Sequence, residues 1–492
     1  MKKIIWNIVR IILILTSLIT SGLFIKLITD LDMLPDKYYL LIVLSLVVLN
    51  VLGIIGIMSK KIIGRIIGII IFVLASIISI IGINYGTDTL RFLNKAFNNN
   101  GLEVTGYNVI VLKSSDYNKI DDLNEKTVGY LSIDTNKDKY MAVLKSKITC
   151  ELKGYDNPYE LYESLLDKKI DSIVIDSAYI DLLEDDYDDI RDRIKVIYNY
   201  EIELVNNNDN NKDKKKKESD SDIDWKYNDD SINILISGSD SRSGKIVTRT
   251  RSDVNMIMTI NKKTHTILLT SIPRDYYVQL HNTTGNKDKL THSGIYGVNM
   301  TKNTIEDLFE IRIDYTVKVG FQSVIKLVDL IGGIDIDSDA SFTSHCGDGG
   351  AIKTKVKKGE NHFNGGQALS YARERYAYKE GDVHRVQNQQ QVLEAIIAKI
   401  SKNKSILLKY EEFLDSFSEL YRTDLPSSEI KSIIKDQLNT MSTWKVKKQY
   451  VKGTGASKQT YSMPGRNLYV MIPNEDSVKD ARDYILDIYN GE

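Results

Sequence analysis

Cysteine and histidine are scarce in this chain, with two and six among 492 residues. Cys150 and Cys346 lie far apart and show no metal-ligand spacing, which excludes a zinc ribbon. Buried free thiols are expected, with one interdomain disulfide as the alternative. The histidines show no paired metal spacing, and His384 in "GDVHR" is expected to pack or to make one hydrogen bond. Excess charge is missing too: 65 Lys and Arg stand against 66 Asp and Glu, a formal net charge of −1. Bulk nucleic-acid binding normally needs a basic excess and is excluded. "GSDSR" lacks the glycine pattern of a Walker A loop or a nucleophile elbow.

The length exceeds one ordinary domain, and 42% hydrophobic residues can build a sizeable core. Residues 1–85 read as three membrane-spanning helices, from the apolar runs Ile4 to Ile25, Tyr38 to Met58 and Ile66 to Ile83. A cleaved signal peptide would carry one such run and a cleavage site, so the segment is expected to remain as an anchor. Lys2, Lys3 and Arg10 before or within the first span, and Lys60, Lys61 and Arg65 in the second connection, place those ends in the cytoplasm. Asp30, Asp32 and Asp36 in the first connection suit the outer face. The expected localisation is therefore a multi-pass membrane protein with a cytoplasmic N-terminus and everything after about Tyr85 outside.

Residues 86–205 begin with a short amphipathic connector and continue as a small α/β accessory domain, with "YNVIVL", "TVGYLS" and "DSIVID" as strands. The stretch "PYELYESLLDKKID" carries a proline in its first helical turn and places Leu161, Leu165 and Leu166 on one face. It resembles one lobe of periplasmic-type solute-binding domains; a rigid spacer without ligand is the preferred reading. Residues 206–230 hold almost no apolar side chain and read as a disordered charged linker.

Residues 231–492 form the largest domain. "INILIS", "VNMIMTI" and "HTILLTSI" are continuous apolar strands, which implies a sheet covered on both faces. Helices are expected over about Thr301 to Ile311, in "FQSVIKLVDLIGG" and from about Val386 to Ile400. The alternation predicts an α/β/α sandwich with a central mixed sheet. After residue 401, two helices, the strand "WKVKKQYV", a strand-bearing stretch over Tyr461 to Ile472 and a terminal helix complete the same domain.

Charged residues gather at the strand ends: Asp240 and Arg242 after the first strand, Arg249, Arg251 and Asp253 before the second, Arg274 and Asp275 after the third, where Pro273 ends it. "YARERYAYKEGDVHR" adds Arg373, Arg375, Asp382 and Arg385. Arginine's planar fork matches phosphate oxygens, so several in one cleft point to a polyanion. Carboxylates belong there if magnesium bridges them to phosphate, and Asp240 and Asp253 are the candidate ligands. For any single arginine a surface ion pair is the competing reading. Residues two apart do not share a face of a continuous helix, so Arg373 and Arg375 enter one site only if the helix ends there, and Gly381 shortly afterwards allows such an ending.

"GSDSR", "RSD", "SIPRD", "DKLTHSGIYG", "LVDLIGGIDI", "FNGGQALSYARERY" and "DVHRVQNQQQVL" occur in that order over roughly residues 232 to 400. Together they resemble the LytR-CpsA-Psr family of cell-envelope enzymes, in its capsule-associated form with three spans and an accessory domain. The resemblance implies a magnesium-dependent phosphotransferase that moves a glycopolymer (wall teichoic acid, capsule or another anionic polysaccharide) from undecaprenyl-pyrophosphate to peptidoglycan. It implies magnesium at Asp240 and Asp253, a pyrophosphate grip by Arg251, Arg274, Arg373, Arg375 and Arg385, and further polar roles for Asp382, Lys289 and Gln389. Arg242 and Asp275 join the substrate-binding set; Asp275 or Asp382 is a candidate general base, and a late deprotonation that needs no dedicated base is the alternative. Asn388 stands where the family often has arginine, with the loss of one positive charge. The polyprenyl tail is expected in an apolar groove under the sheet, with Phe321, Ile325 and Val328 either lining it or serving as ordinary core. Expected partners are the carrier-linked glycopolymer, peptidoglycan and membrane lipid, with no nucleic acid. The rivals are a lipid-pyrophosphate hydrolase and a non-catalytic polymer-binding anchor; a transcriptional role fails on topology.

Overall fold

The computed structural model describes residues 2–97, 103–134, 136–204, 225–239, 249–345, 351–379, 381–402 and 421–492. They fall into two units. The first holds α1 (Lys2–Leu31), α2 (Asp36–Ile57) and α3 (Ile62–Phe97). Each is long and apolar enough to cross a membrane. Gly56 and Gly68 let α2 and α3 approach, since a Cβ on Gly68 would lie 2.3 Å from the backbone nitrogen of Ile57. Ser17 donates to Asn50 at 2.7 Å, and Asn50 donates to Ser21 at 3.1 Å, a polar tie between α1 and α2.

Where a connector was expected after residue 85, α3 continues to Phe97. Gly86, Thr89 and Leu93 carry the reason, because they are buried at helical spacing and extend the packed face beyond the apolar run. The same unit takes residues 425–443, which the sequence had assigned to the large domain. The helix Ser427–Thr440 pairs Lys435 with Asp32 at 2.8 Å, and Lys37 donates to the Asn439 carbonyl at 2.7 Å.

Among the described residues the second unit contains two large sheets, of five and six strands, and four two-stranded ones. The accessory domain runs β1 (Glu103–Leu112), β2 (Thr127–Leu131), α4 (Lys137–Lys145), β3 (Glu151–Tyr155), α5 (Pro158–Leu166), β4 (Ser172–Asp176), α6 (Ser177–Glu184) and β5 (Ile194–Leu204), with strand order β3-β2-β4-β1-β5. Pro158 opens α5, and the Asn157 side chain caps it by accepting from the Tyr159 N–H at 2.8 Å. Leu161 and Leu165 are buried on its inner face, while Leu166 is only half-buried.

The large domain is built on β6 (Ser231–Ser239), β7 (Val254–Asn261), β8 (Thr266–Ile272), α7 (Val298–Phe309), β9 (Tyr315–Gly320), α8 (Phe321–Leu330), α9 (Gly365–Arg373), α10 (Asp382–Lys402), β10 (Tyr421–Thr423), β11 (Lys445–Tyr450) and α11 (Glu475–Asn490). Its sheet is mixed, in the order β10-β9-β6-β7-β8-β11: β9 runs parallel to β6 and β11 parallel to β8, and the other pairs are antiparallel. Every residue of β8 is buried, as a sheet covered on both faces requires. One face packs Leu235, Ile257 and Leu268 against Phe309 of α7 and Ile485 of α11. Strands Gly453–Gln459 and Asn467–Pro473 form a separate hairpin rather than extending this sheet.

The linker expected over 206–230 gives way at Trp225, residues 205–224 lying outside the described set. The Trp225 indole meets the Tyr489 ring edge-on at 4.8 Å, and Asn228 donates to the Tyr489 carbonyl at 2.7 Å. One aromatic contact and one cap of the terminal helix thus bring these polar residues into the fold.

Candidate functional site

Strand ends position the first half of the site. Gly238 of β6 pairs with Val254 of β7, and its carbonyl accepts from the Asp253 N–H at 2.8 Å, so Asp253 sits beside the end of β6. The described residues stop at Ser239; Asp240 and Arg242 lie outside them. Pro273 ends β8 and turns Arg274 back: its Nη1 donates to Asp253 Oδ1 at 2.6 Å, and the Thr291 hydroxyl reaches the same oxygen at 3.3 Å. Arg251 Nε stands 4.0 Å from that oxygen, while its Nη1 donates to Asp185 at 2.8 Å. Arg274 Nε lies 3.7 Å from Asp275, whose other oxygen is 3.4 Å from Lys289 Nζ. Five of the expected residues therefore form one network of alternating charge.

Burial alone would depress the pKa of both arginines, but the carboxylates around them more than offset it: Asp253 and Asp185 raise Arg251, and Asp253 and Asp275 raise Arg274. Both guanidiniums stay charged at any working pH.

The second half is an apolar cleft on the other face of the sheet. Ile236, Met256 and Val319 line it from the strands, Phe321 and Val324 from α8, and Val392, Leu393 and Ile396 from α10. Arg373 and Gln389 bring polar groups to this wall, and the Arg373 guanidinium lies 4.5 Å over the Phe321 ring. Val254, next to Asp253, belongs to the same lining, so cleft and charge network meet at residues 253–254. Of the three groove candidates, Phe321 lines the cleft. Val328 is fully buried in packing, and Ile325 serves a helix contact, its carbonyl 2.1 Å from where a Cβ of Gly365 would stand. The alternation "VNMIM" on β7 is the sequence signal for Val254 and Met256 facing one side of the sheet.

The helix α9 ends at Arg373, as a shared site required. Glu374 makes that end. Burial works against its charged form, yet the N–H groups of His345, Ala377 and Tyr376 and the His345 ring hold its carboxyl below the usual range. Beyond the turn, Arg375 is exposed and directed to Tyr376, bonding its hydroxyl at 2.6 Å. Asp382 begins α10, its side chain outside the described set, and Arg385 follows, half-buried, in the first turn.

The run Asn388 to Gln391 is mostly scaffolding. Asn388 is fully buried and donates to the Tyr371 carbonyl at 3.1 Å, Gln390 donates to the carbonyls of Leu269 and Gln449, and Gln391 accepts from the Tyr371 hydroxyl at 2.5 Å. Gln389 alone of the four lines the cleft. His384 stacks on Tyr378 with centroids 3.4 Å apart. Cys150 is a free, half-buried thiol whose pKa burial raises; Cys346 lies outside the described residues.

No three carboxylate, histidine or cysteine side chains converge as a metal site among the described residues. Magnesium bound with phosphate needs only one or two protein carboxylates, and Asp253 stands beside the strand whose next residue is Asp240. Asp253, a carboxylate at a strand end, is a donor of the kind such a site uses, and Asp240 lies outside the described residues.

The family model LytR_cpsA_psr matches residues 195–481. The chain is 30% identical over 229 residues to the polyisoprenyl-teichoic acid–peptidoglycan teichoic acid transferase TagU of Enterococcus faecalis, covering 46% of this chain and 72% of that protein. It is 34% identical over 227 residues to TagU of Bacillus subtilis, covering 46% and 70%. The crystal structure of B. subtilis TagV aligns with 27% identity and a TM-score of 0.45, over 54% of this chain and 99% of that one.

Proposed function

Because the chain belongs to the LytR_cpsA_psr family, we propose that it transfers an anionic glycopolymer from a polyisoprenyl pyrophosphate to peptidoglycan at the outer face of the membrane. Its relatives carry the name of transferases acting between polyisoprenyl-linked teichoic acid and peptidoglycan. The observation that carries the reading here is the junction at residues 253–254: an apolar cleft fit for an isoprenoid tail opens beside a cluster fit for a pyrophosphate.

In this reading the acceptor's sugar hydroxyl attacks the phosphorus next to the glycan. A new P–O bond forms, the bond to the carrier phosphate breaks, and polyisoprenyl phosphate leaves with the bonding pair while the hydroxyl proton is lost. Arg251, Arg274, Arg373 and Arg385 neutralise the phosphoryl oxygens, Arg375 and Arg242 extend the grip, and Lys289 and Gln389 orient the donor. Asp253 and Asp240 would hold magnesium, which when bound would neutralise charge at the pyrophosphate. Asp275, held by Lys289 and Arg274, and Asp382 at the start of α10 are the two candidate bases for that proton.

The same reading puts the first connection of the anchor outside. The ion pair of Asp32 with Lys435, from the chain that follows the catalytic motifs, supports it. The test is mass spectrometry of products when the detergent-solubilised chain meets a polyisoprenyl-pyrophosphate glycan, magnesium and a peptidoglycan oligosaccharide. Glycan phosphate joined to the acceptor establishes transfer. Free glycan phosphate with untouched acceptor identifies a hydrolase, and unchanged donor leaves a binding role.

A further inference from the structure

The guanidinium of Arg251 is held from the accessory domain. Asp185, the C-cap of α6, accepts from Arg251 Nη1 at 2.8 Å across 66 residues of sequence. Asp181 and Glu184 on the same helix end are taken by Arg191 at 2.6 and 2.9 Å. Arg251 is well buried, with 14% of its side chain exposed, whereas Asp185 is 43% exposed.

A second route joins the same two places. Gly294 approaches the backbone on either side of Arg251 so closely that a Cβ would meet the Thr250 oxygen at 2.3 Å and the Ser252 nitrogen at 2.7 Å. The next residue, Ile295, is 3% exposed and sits within the accessory core beside Tyr179 and Ile180 of α6. Tyr296 continues this contact and bonds Ser462 at 3.1 Å. The loop that supports the Arg251 backbone is thus packed into the domain that holds the Arg251 side chain.

We infer that the accessory domain is part of the donor site, with Asp185 as a positioning residue that sets the plane of Arg251 for the pyrophosphate. This rests on the transfer reading above. A guanidinium carries five N–H donors in a rigid fork, so a carboxylate on one edge fixes its plane and leaves other edges for phosphate oxygens. An arginine already ordered before the donor arrives loses less rotamer freedom on binding, and affinity rises accordingly. The accessory domain then does more than space the catalytic domain from the membrane: when it is not seated on the 294–296 loop, Arg251 loses both supports.

The test is titration of the full chain in detergent with geranylgeranyl pyrophosphate, paired with transfer kinetics. Asp185→Asn is expected to weaken binding and raise the donor KM roughly fivefold to tenfold with kcat little changed, as for lost pre-organisation. Asp185→Glu recovers most of the loss. In an Arg251→Lys background the Asp185→Asn change adds nothing, because the fork it orients is gone. Equal or tighter binding by Asp185→Asn, or losses that simply add in the double variant, overturn the inference and leave the donor site intact. Failure of the unaltered chain to bind the pyrophosphate overturns both readings.

Discussion

Arg274 and Asp253 meet at 2.6 Å although 21 residues separate them, and their contact ties the end of β8 to the start of β7, next to Val254 of the cleft lining. It is the centre of the charge network, because Arg251, Thr291 and, through Arg274, Asp275 and Lys289 all attach to it.

Asp253→Asn keeps the shape and removes the charge. It is expected to raise the magnesium concentration needed for half-maximal transfer, read from a metal titration of initial rates. An unchanged metal dependence would remove Asp253 from the ligand set.

Arg373 brings a positive charge to the largely apolar cleft wall, where it lies over the Phe321 ring. A lost charge-assisted contact costs roughly 1.5–3 kcal/mol, so Arg373→Ala should cut kcat/KM about tenfold to a hundredfold. Near-normal turnover would make its stacking on Phe321 a packing contact only.

Leu393 faces the cleft and is only half-buried, so a larger side chain can be accommodated by filling it. Leu393→Trp is expected to raise the KM for a long-chain donor by about tenfold or more while a donor with a short isoprenoid is little affected. Equal effects on both donors would place the tail elsewhere.

Asp176 gives a pH prediction for the accessory domain. It is buried at the N-cap of α6, accepts from Thr105 at 2.5 Å and the Ala178 N–H at 2.9 Å, and burial pushes its carboxyl up to about 7. The folded state then holds a proton that the unfolded chain releases near pH 4, so stability falls as pH rises from about 4 to 7 and levels off above. Melting temperatures across that window should decline in the native chain. Asp176→Asn, which can still cap the helix, should flatten the profile; an unchanged slope would assign it to other groups.

Much of the architecture was legible along the chain. Continuous apolar strands, the break at Pro273 and the helix beginning at Pro158 are local, and each element appeared where its pattern lay. Other boundaries moved where a partner distant in sequence decided them. Tyr489 ended the linker early at Trp225, and the acidic first connection of the anchor drew in the helix Ser427–Thr440. Neither partner is visible to a reading of neighbouring residues.

The sequence by itself determined which residue types are available for chemistry, because arginine forks and carboxylates can bind phosphate and metal whatever their order. It also determined the apolar spans, because crossing a bilayer is a demand on composition and length. Only the tertiary structure decided how those charges divide. It gathered Arg251, Asp253, Arg274, Asp275 and Lys289 into one network, set Arg373 and Gln389 on the cleft wall, turned Asn388 and Gln390 inward as scaffolding and directed Arg375 to Tyr376. The physical reason is that pairing depends on which strand ends and helix turns the packed sheet brings within a few ångströms. Asp185 shows this most directly, since it reaches Arg251 through the docking of a separate sheet.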